Sequence, residues 1–368
     1  MTVLQTGALP LGYGTIFIMP YYYSKTKSVC QEEKCFFRKT FPKTRNRKSK
    51  WYFARNDKAH KSEKPLYKSE RLCYNKPNNT KGDKLMKTEQ INIRDPFVVF
   101  EDGKYYMYGS RARNFGCNTN GFDVYISEDL ENWSEPIECF TSEPYGLNRH
   151  ANWAPEVHKY KGKYYMFATF TQENGLRGTY SLCSDTLTGP FVPHSKGALT
   201  PTDWECLDGT LYVDENGTPY LVFCHEHTQI IDGTICYVEL TDTLDEANGE
   251  AVTLFCASSY PTVGPVQGDH YVTDGPYMYR SKTGELFMLW SSFINRKYAE
   301  LVVKFKNGRL GTEFEHLAPL LDDDGGHGMV FSDGEQTYFT YHTPNKSLLE
   351  RPRFCILHDC GDTIHIER

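Results

Sequence analysis

An all-β fold, a five-bladed β-propeller preceded by a basic low-order segment, is what the 368-residue sequence predicts. Three observations carry that reading. Five segments repeat one strand–turn–strand form at near-regular spacing, the sign of a repeat architecture. Their turns are of the kinds that close short hairpins. No repeat carries a helical period of useful length.

The first element is the basic segment. Residues 1–85 hold 19 of the 41 Lys and Arg but only 6 of the 47 Asp and Glu, leaving 22 basic and 41 acidic residues for 86–368. From Ser24 to Lys84 no period of 2 or 3.6 is sustained. Such a stretch buries too little apolar surface to order itself. It reads either as a basic tail for nucleic acid or an anionic surface, or as an extension with no part in the protein's work. The second is preferred, because "MKTEQINIRDPFVVF" at Met86 reads as a domain start. A chain beginning at Met86 is expected to fold and keep full activity. The acidic balance of 86–368 argues against a nucleic-acid partner, since phosphate binding wants a basic face.

The opening "MTVLQTGALPLGYGTIFIMPYYY" lacks a positively charged start and is broken by Pro10, Gly12 and Pro20. It does not suit a signal peptide. No run of 18 apolar residues suggests a membrane span. The twelve cysteines are scattered without paired CxxC motifs, which gives little support to a zinc site. Several sit inside apolar runs such as "YLVFCHE", where they act as small buried hydrophobes. A reducing, cytoplasmic setting is expected.

The five blades follow. They read "RDPFVVFEDGKYYMYGSR" at Asp95, "WAPEVHKYKGKYYMFATF" at Glu156, "LDGTLYVDENGTPYLVFC" at Asp208, "TDGPYMYRSKTGELFMLWSS" at Asp274 and "GGHGMVFSDGEQTYFTYH" at His327. The turns "EDGK", "YKGK", "DENGT" and "SDGE" supply Gly or Asn where a tight hairpin needs positive φ. Spacings of about 50–65 residues suit four-stranded blades with loops. A β-sandwich is the rival, but near-regular hairpins with similar openings fit it less well. In a propeller the innermost strands converge on the central channel. The five anchors should therefore line one mouth as a ring of four carboxylates and one imidazole. Like charges held close raise at least one pKa. That is how one carboxyl stays protonated as an acid while its neighbour stays ionised as a base.

Taken in order, "RDPF", "WAPEV", "LDGTLYVDENGTPYLVF", "TDGPYMYR…MLWSS" and "GGHGM" resemble glycoside hydrolase family 43 from about Ile91 to Arg368. The resemblance implies a five-bladed propeller that hydrolyses arabinose- or xylose-containing glycans with inversion. It implies Asp95 as general base and Asp208 as the residue that tunes the acid. Asp274 stands where the family usually has Glu in a Glu-Gly-Pro motif. As the acid it would sit one methylene nearer its own backbone, and an inverting pair needs its carboxyls roughly 6.5–9.5 Å apart. Glu156 is the second candidate for the acid. The resemblance also implies that His327 points into the channel, where an ion, commonly calcium, is held largely through water. No catalytic cofactor is expected.

The remaining candidates are binding residues, each with a bland alternative. Trp153 and Phe97 could stack on a pentose or fill the inter-blade core. Arg94 could pair with the carboxylates or cap a loop. His225 and His227 are read as sharing one face of a strand, for sugar hydroxyls or, less well supported, zinc. The aspartates at 322–324 do not match an EF-hand loop. A phosphorylase would need a basic pocket near the anchors, which the sequence lacks. A sugar-binding propeller without catalysis is kept open by the Asp at 274.

Overall fold

The computed structural model describes residues 85–111, 120–147 and 150–368. The expected basic extension lies outside the described residues except for the exposed Leu85. The first strand, Met86–Lys87, pairs with Asn132–Trp133 inside the first blade.

Among the described residues five antiparallel sheets form in chain order, and the last four are simple meanders. Their innermost strands are Ile93–Glu101, Asn152–Tyr160, Cys206–Val213, Asp274–Arg280 and Gly326–Ser332. The first sheet has six strands and the others four. The sole α-helix among the described residues is the single turn His227–Ile230. The predicted hairpins close as expected. Asp102 and Gly103 have φ of 51° and 74°, and Lys161 and Gly162 have 47° and 82°. Two positive φ values in succession match the strands' right-handed twist.

Five apolar clusters hold the ring together, and each straddles one seam. Phe122, Phe140, Val157 and Phe170 fill the seam between blades one and two. Phe167, Leu211 and Phe223 fill the next, and Phe255 with Trp290 the third. Phe287 packs with Phe339, and Phe97 and Met107 with Met329 and Phe331. Every blade thus buries both faces against neighbours, which is why its strands read as nearly continuous aromatic and aliphatic runs. The first and last blades meet through side chains. Tyr105 donates to Asp333 at 2.8 Å, and Arg94 pairs with the fully buried Glu350 at 3.0 Å.

Candidate active site

Each innermost strand opens on a β-bulge at the same register. Pairing skips between Arg94 and Phe97, Trp153 and Glu156, Leu207 and Thr210, Asp274 and Tyr277, and Gly326 and Met329. Inside each bulge one residue takes positive φ: Asp95 at 55°, Ala154 at 44°, Asp208 at 55°, Gly275 at 46° and His327 at 53°. Asp, Asn and His tolerate that conformation better than most residues. Bulges re-aim side chains, and here they turn Asp95, Asp208 and His327 toward the axis.

The backbone of each bulge is fastened across a seam. The Ala154 N–H donates to Ser110 Oγ at 2.7 Å, and the Asp208 N–H to Thr169 Oγ1 at 2.9 Å. The His327 N–H donates to Ser291 Oγ at 2.6 Å, and the Asp95 N–H to His342 Nδ1 at 3.2 Å. Each acceptor sits on the second strand of the preceding blade, opposite the first residue of that blade's bulge. The third seam differs. Cys224 occupies the acceptor's position opposite Leu207, and the Gly275 N–H donates to Asp208 Oδ2 at 3.2 Å.

These bulges bring three carboxylates around one imidazole. His327 Nδ1 lies 3.2 Å from Asp95 Oδ1, 3.7 Å from Asp274 Oδ1 and 3.9 Å from Asp208 Oδ2. Gly275 makes this packing feasible, because a Cβ there would stand 2.7 Å from the His327 ring. Ser110 donates to Asp95 Oδ2 at 2.5 Å, and Tyr298 donates to Asp274 Oδ2 at 2.7 Å. Asp208 and Asp274 also hydrogen-bond to each other. The Asp274 side chain is 23 % exposed and that of Asp208 5 %, so Asp274 is the one of the pair that a ligand can reach.

The protonation states separate as acid–base work requires. Burial pushes Asp95 upward, but His327, Arg94 and the Ser110 hydroxyl together outweigh it and hold Asp95 below its ordinary value. Burial, then the charge of Asp274, drives Asp208 well above its ordinary value. Asp274 is also pushed up by burial, but the bond from Asp208, then His327 and Tyr298, leave it lowered. The pair therefore shares one proton, resting toward Asp208. Burial and Arg94 press His342 down to about 3, so it stays a neutral acceptor.

The expected ring of five needs correction. Ala154, not Glu156, occupies the blade-two position, because the bulge falls two residues earlier. Gly275, not Asp274, occupies the blade-four position, so Asp274 reaches the site from the first residue of its bulge, the place Arg94 holds in blade one. Glu156 lies further along the channel, where its carboxylate meets His158 Nε2 at 3.0 Å. With Asp95, Phe97 and Met329 it lines a cavity of about 10 Å³, room for one water. Phe97 is 5 % exposed and packs on His158 and Tyr277, so it belongs to the core rather than to a stacking platform. Trp153 is half-buried with the Arg177 guanidinium over its ring at 5.1 Å. Arg94 bonds Asn345 and Glu350, and its charge helps hold Asp95 down. His225 and His227 do not share a strand face, because the strand ends at His225 and His227 begins a helical turn. His225 stacks on Trp204 and bonds Gln229, while His227 faces His270.

Among the described residues, the group that could hold a metal is Asp208, Asp274 and His327, with donor atoms within 4.8 Å of one another. One nitrogen and two oxygens do not make the cage of six to eight oxygens that calcium takes. Both Oδ2 atoms are already engaged, with Gly275 and Tyr298. The set does not fit direct calcium ligation.

Reading the sequence missed Ser110, Ser291, His342, Tyr298 and Glu300. The first three were findable, since each falls near the end of the second strand of its repeat, as Thr169 does. Tyr298 and Glu300 lie on a third strand, Lys297–Phe305, outside the recognisable hairpins.

The family model of glycosyl hydrolases family 43 matches residues 89–359. An endo-arabinase structure from Bacteroides thetaiotaomicron VPI-5482 is 35% identical, with a TM-score of 0.69 over 76% of this chain and 99% of that one. A thermostable family-43 glycoside hydrolase, 23% identical with a TM-score of 0.65 over 75% of this chain and 93% of that one, shares the fold. Among characterised proteins, the extracellular endo-alpha-(1->5)-L-arabinanase 1 of Bacillus subtilis (strain 168) is 24% identical over 36% of this chain and 42% of its own length. A xylosidase/arabinosidase of Bacteroides ovatus is 29% identical over 35% of this chain and 46% of its own. The matched stretch spans less than half of each of these two relatives. Five blades, a mouth of buried aspartates and a family match across nearly all of the propeller lead to one conclusion: the chain belongs to glycosyl hydrolases family 43.

Proposed function

We propose that the protein hydrolyses α-L-arabinofuranosyl or β-D-xylosyl linkages with inversion, Asp95 acting as base, Asp274 as acid and Asp208 as its tuning partner. The observation that carries the reading is the split environment around His327. Asp95 is held ionised, while Asp208 and Asp274 share a proton. Asp95 takes a proton from water as the water oxygen bonds to the anomeric carbon. The glycosidic bond breaks, and its oxygen takes a proton from Asp274. A leaving oxygen beside Asp274 draws that proton across the bond from Asp208. Arabinan is favoured among the substrates by the names of two relatives. An ion in the channel would have to be held through water.

The short acid supports a second reading, a sugar-binding propeller with feeble catalysis. Asp95 Oδ1 and Asp274 Oδ1 both lie within 4 Å of His327 Nδ1. They are thus at most about 7 Å apart, near the lower edge of the roughly 6.5–9.5 Å that inverting pairs use. A panel of nitrophenyl glycosides and defined arabino- and xylo-oligosaccharides decides between the two. The first reading expects reducing sugar whose first-formed anomer, seen by NMR, is inverted. Binding without release would support the second reading, and a retained anomer would sink the first.

A further inference from the structure

The four regular seams and the one irregular seam differ by a single acceptor. In the regular seams a Ser or Thr hydroxyl, or the His342 imidazole, takes the N–H of the positive-φ residue in the following blade. At the third seam that place belongs to Cys224, fully buried opposite Leu207. A thiol is a weak acceptor beside a hydroxyl. The Gly275 N–H goes instead to Asp208 Oδ2, 3.2 Å away, while Asp208 keeps its own N–H on Thr169. The consequence falls on the site, because Gly275 directly follows Asp274. The Asp208 carboxyl is thereby tied to both the side chain of Asp274 and the backbone that carries it.

We propose that Cys224 is a positioning residue: by failing to accept the Gly275 N–H, it leaves that donor to Asp208 and so fastens the tuning carboxyl against the acid. The inference rests on the roles proposed above for Asp208 and Asp274. It explains why the break in the seam pattern falls beside the one pair of carboxyls that must share a proton. Burial, then the charges of Asp208 and Asp274, push the Cys224 thiol far up, so it stays protonated and adds no charge to the pair. A hydroxyl at this position would restore the regular seam and release Asp208.

The test compares Cys224→Ser with Cys224→Ala. Ser supplies the missing acceptor at nearly unchanged volume, and Ala supplies none. For Cys224→Ser, kcat on arabino-oligosaccharides is expected to fall about tenfold with KM unchanged, the worth of one hydrogen bond. Cys224→Ala is expected to keep kcat within about twofold, a difference of roughly 0.4 kcal/mol. A well-folded Cys224→Ser enzyme with unaltered kcat would overturn the proposal, as would equal losses in both variants. Crystal structures of the two variants read the same point without turnover. The Gly275 N–H should move to the new hydroxyl in the first and stay on Asp208 in the second. If the wild type cleaves nothing on the panel, the proposed function fails, yet these structures still decide whether residue 224 directs the Gly275 donor. An unmoved N–H in Cys224→Ser overturns that claim.

Discussion

Tyr298 donates its hydroxyl hydrogen bond to Asp274 Oδ2 at 2.7 Å, and this contact fixes which way the short carboxyl points. With Oδ2 held, Oδ1 faces His327 at 3.7 Å. The tyrosine is itself clamped. It is 1 % exposed, stacks against His342 with centroids 5.6 Å apart, and lies where a Cβ on Gly326 would meet its ring at 2.7 Å. A longer Glu would not need this tether in the same place.

Tyr298→Phe should therefore release Asp274 without opening a cavity. The Tyr298 bond is among the causes that lower Asp274, so its loss raises the acid's pKa. The alkaline limb of the kcat/KM profile should move to higher pH, and kcat on natural glycans should fall about 10–100-fold. Thermal melting should change little. A profile unmoved on both limbs would mean that the tyrosine only packs.

The two outer carboxylates should respond differently to the leaving group. Asp95→Asn is expected to lower turnover on every substrate by about 10²–10⁴-fold, because the attacking water loses its base. Asp274→Asn should hurt oligosaccharides most and nitrophenyl glycosides least, since an activated aryl oxide needs little protonation. Full activity of Asp274→Asn on oligosaccharides would remove it from the acid's role. Glu156→Gln is the control, expected to stay within a few-fold of wild type.

Gly275→Ala should damage the site more than the fold. Its φ of 46° strains any L side chain, at a cost of about 1–3 kcal/mol. The added methyl would also stand 2.7 Å from the His327 ring and push it from the aspartates. Folded protein with a loss of at least ~10²-fold in kcat/KM is expected. Circular dichroism melts beside kinetics separate the two effects.

Glu300 sets an alkaline limit on stability. It is fully buried, accepts from Ser291 Oγ at 2.7 Å and the Gly328 N–H at 3.1 Å, and burial lifts it to about 8. A carboxyl raised in the folded state keeps its proton where the unfolded chain has lost it. The native state then binds more protons, so stability falls as pH rises from the ordinary value of 4.5 to about 8. Glu300→Gln removes this slope and should be the more stable protein at pH 8–9, by up to roughly 4 kcal/mol. Parallel melting curves for both proteins from pH 5 to 9 would contradict the assignment.

The family fold and its mouth were legible because the repeat is written in local chemistry. Glycine-bearing turns, aromatic strand pairs and an acidic or imidazole residue near most strand starts follow from neighbouring residues alone. The errors came where register within a strand matters. Glu156 stood at an anchor's place in the repeat, yet the bulge puts Ala154 there. His227 looked like strand, yet the backbone leaves the sheet after His225 and turns.

By itself, the sequence determined the five hairpins, their order and the identity of Asp95, Asp208, Asp274 and His327 as axial residues. Local turn propensity and alternation suffice for that, since each hairpin closes between near neighbours. Only the tertiary structure decided what surrounds them. That Tyr298 holds Asp274, that Ser291 links Glu300 to His327, and that Gly275 reaches Asp208 past Cys224 are contacts between chain segments set side by side by ring closure. Those contacts, made in a buried mouth where hydrogen bonds and charges are little screened, fix where the proton rests.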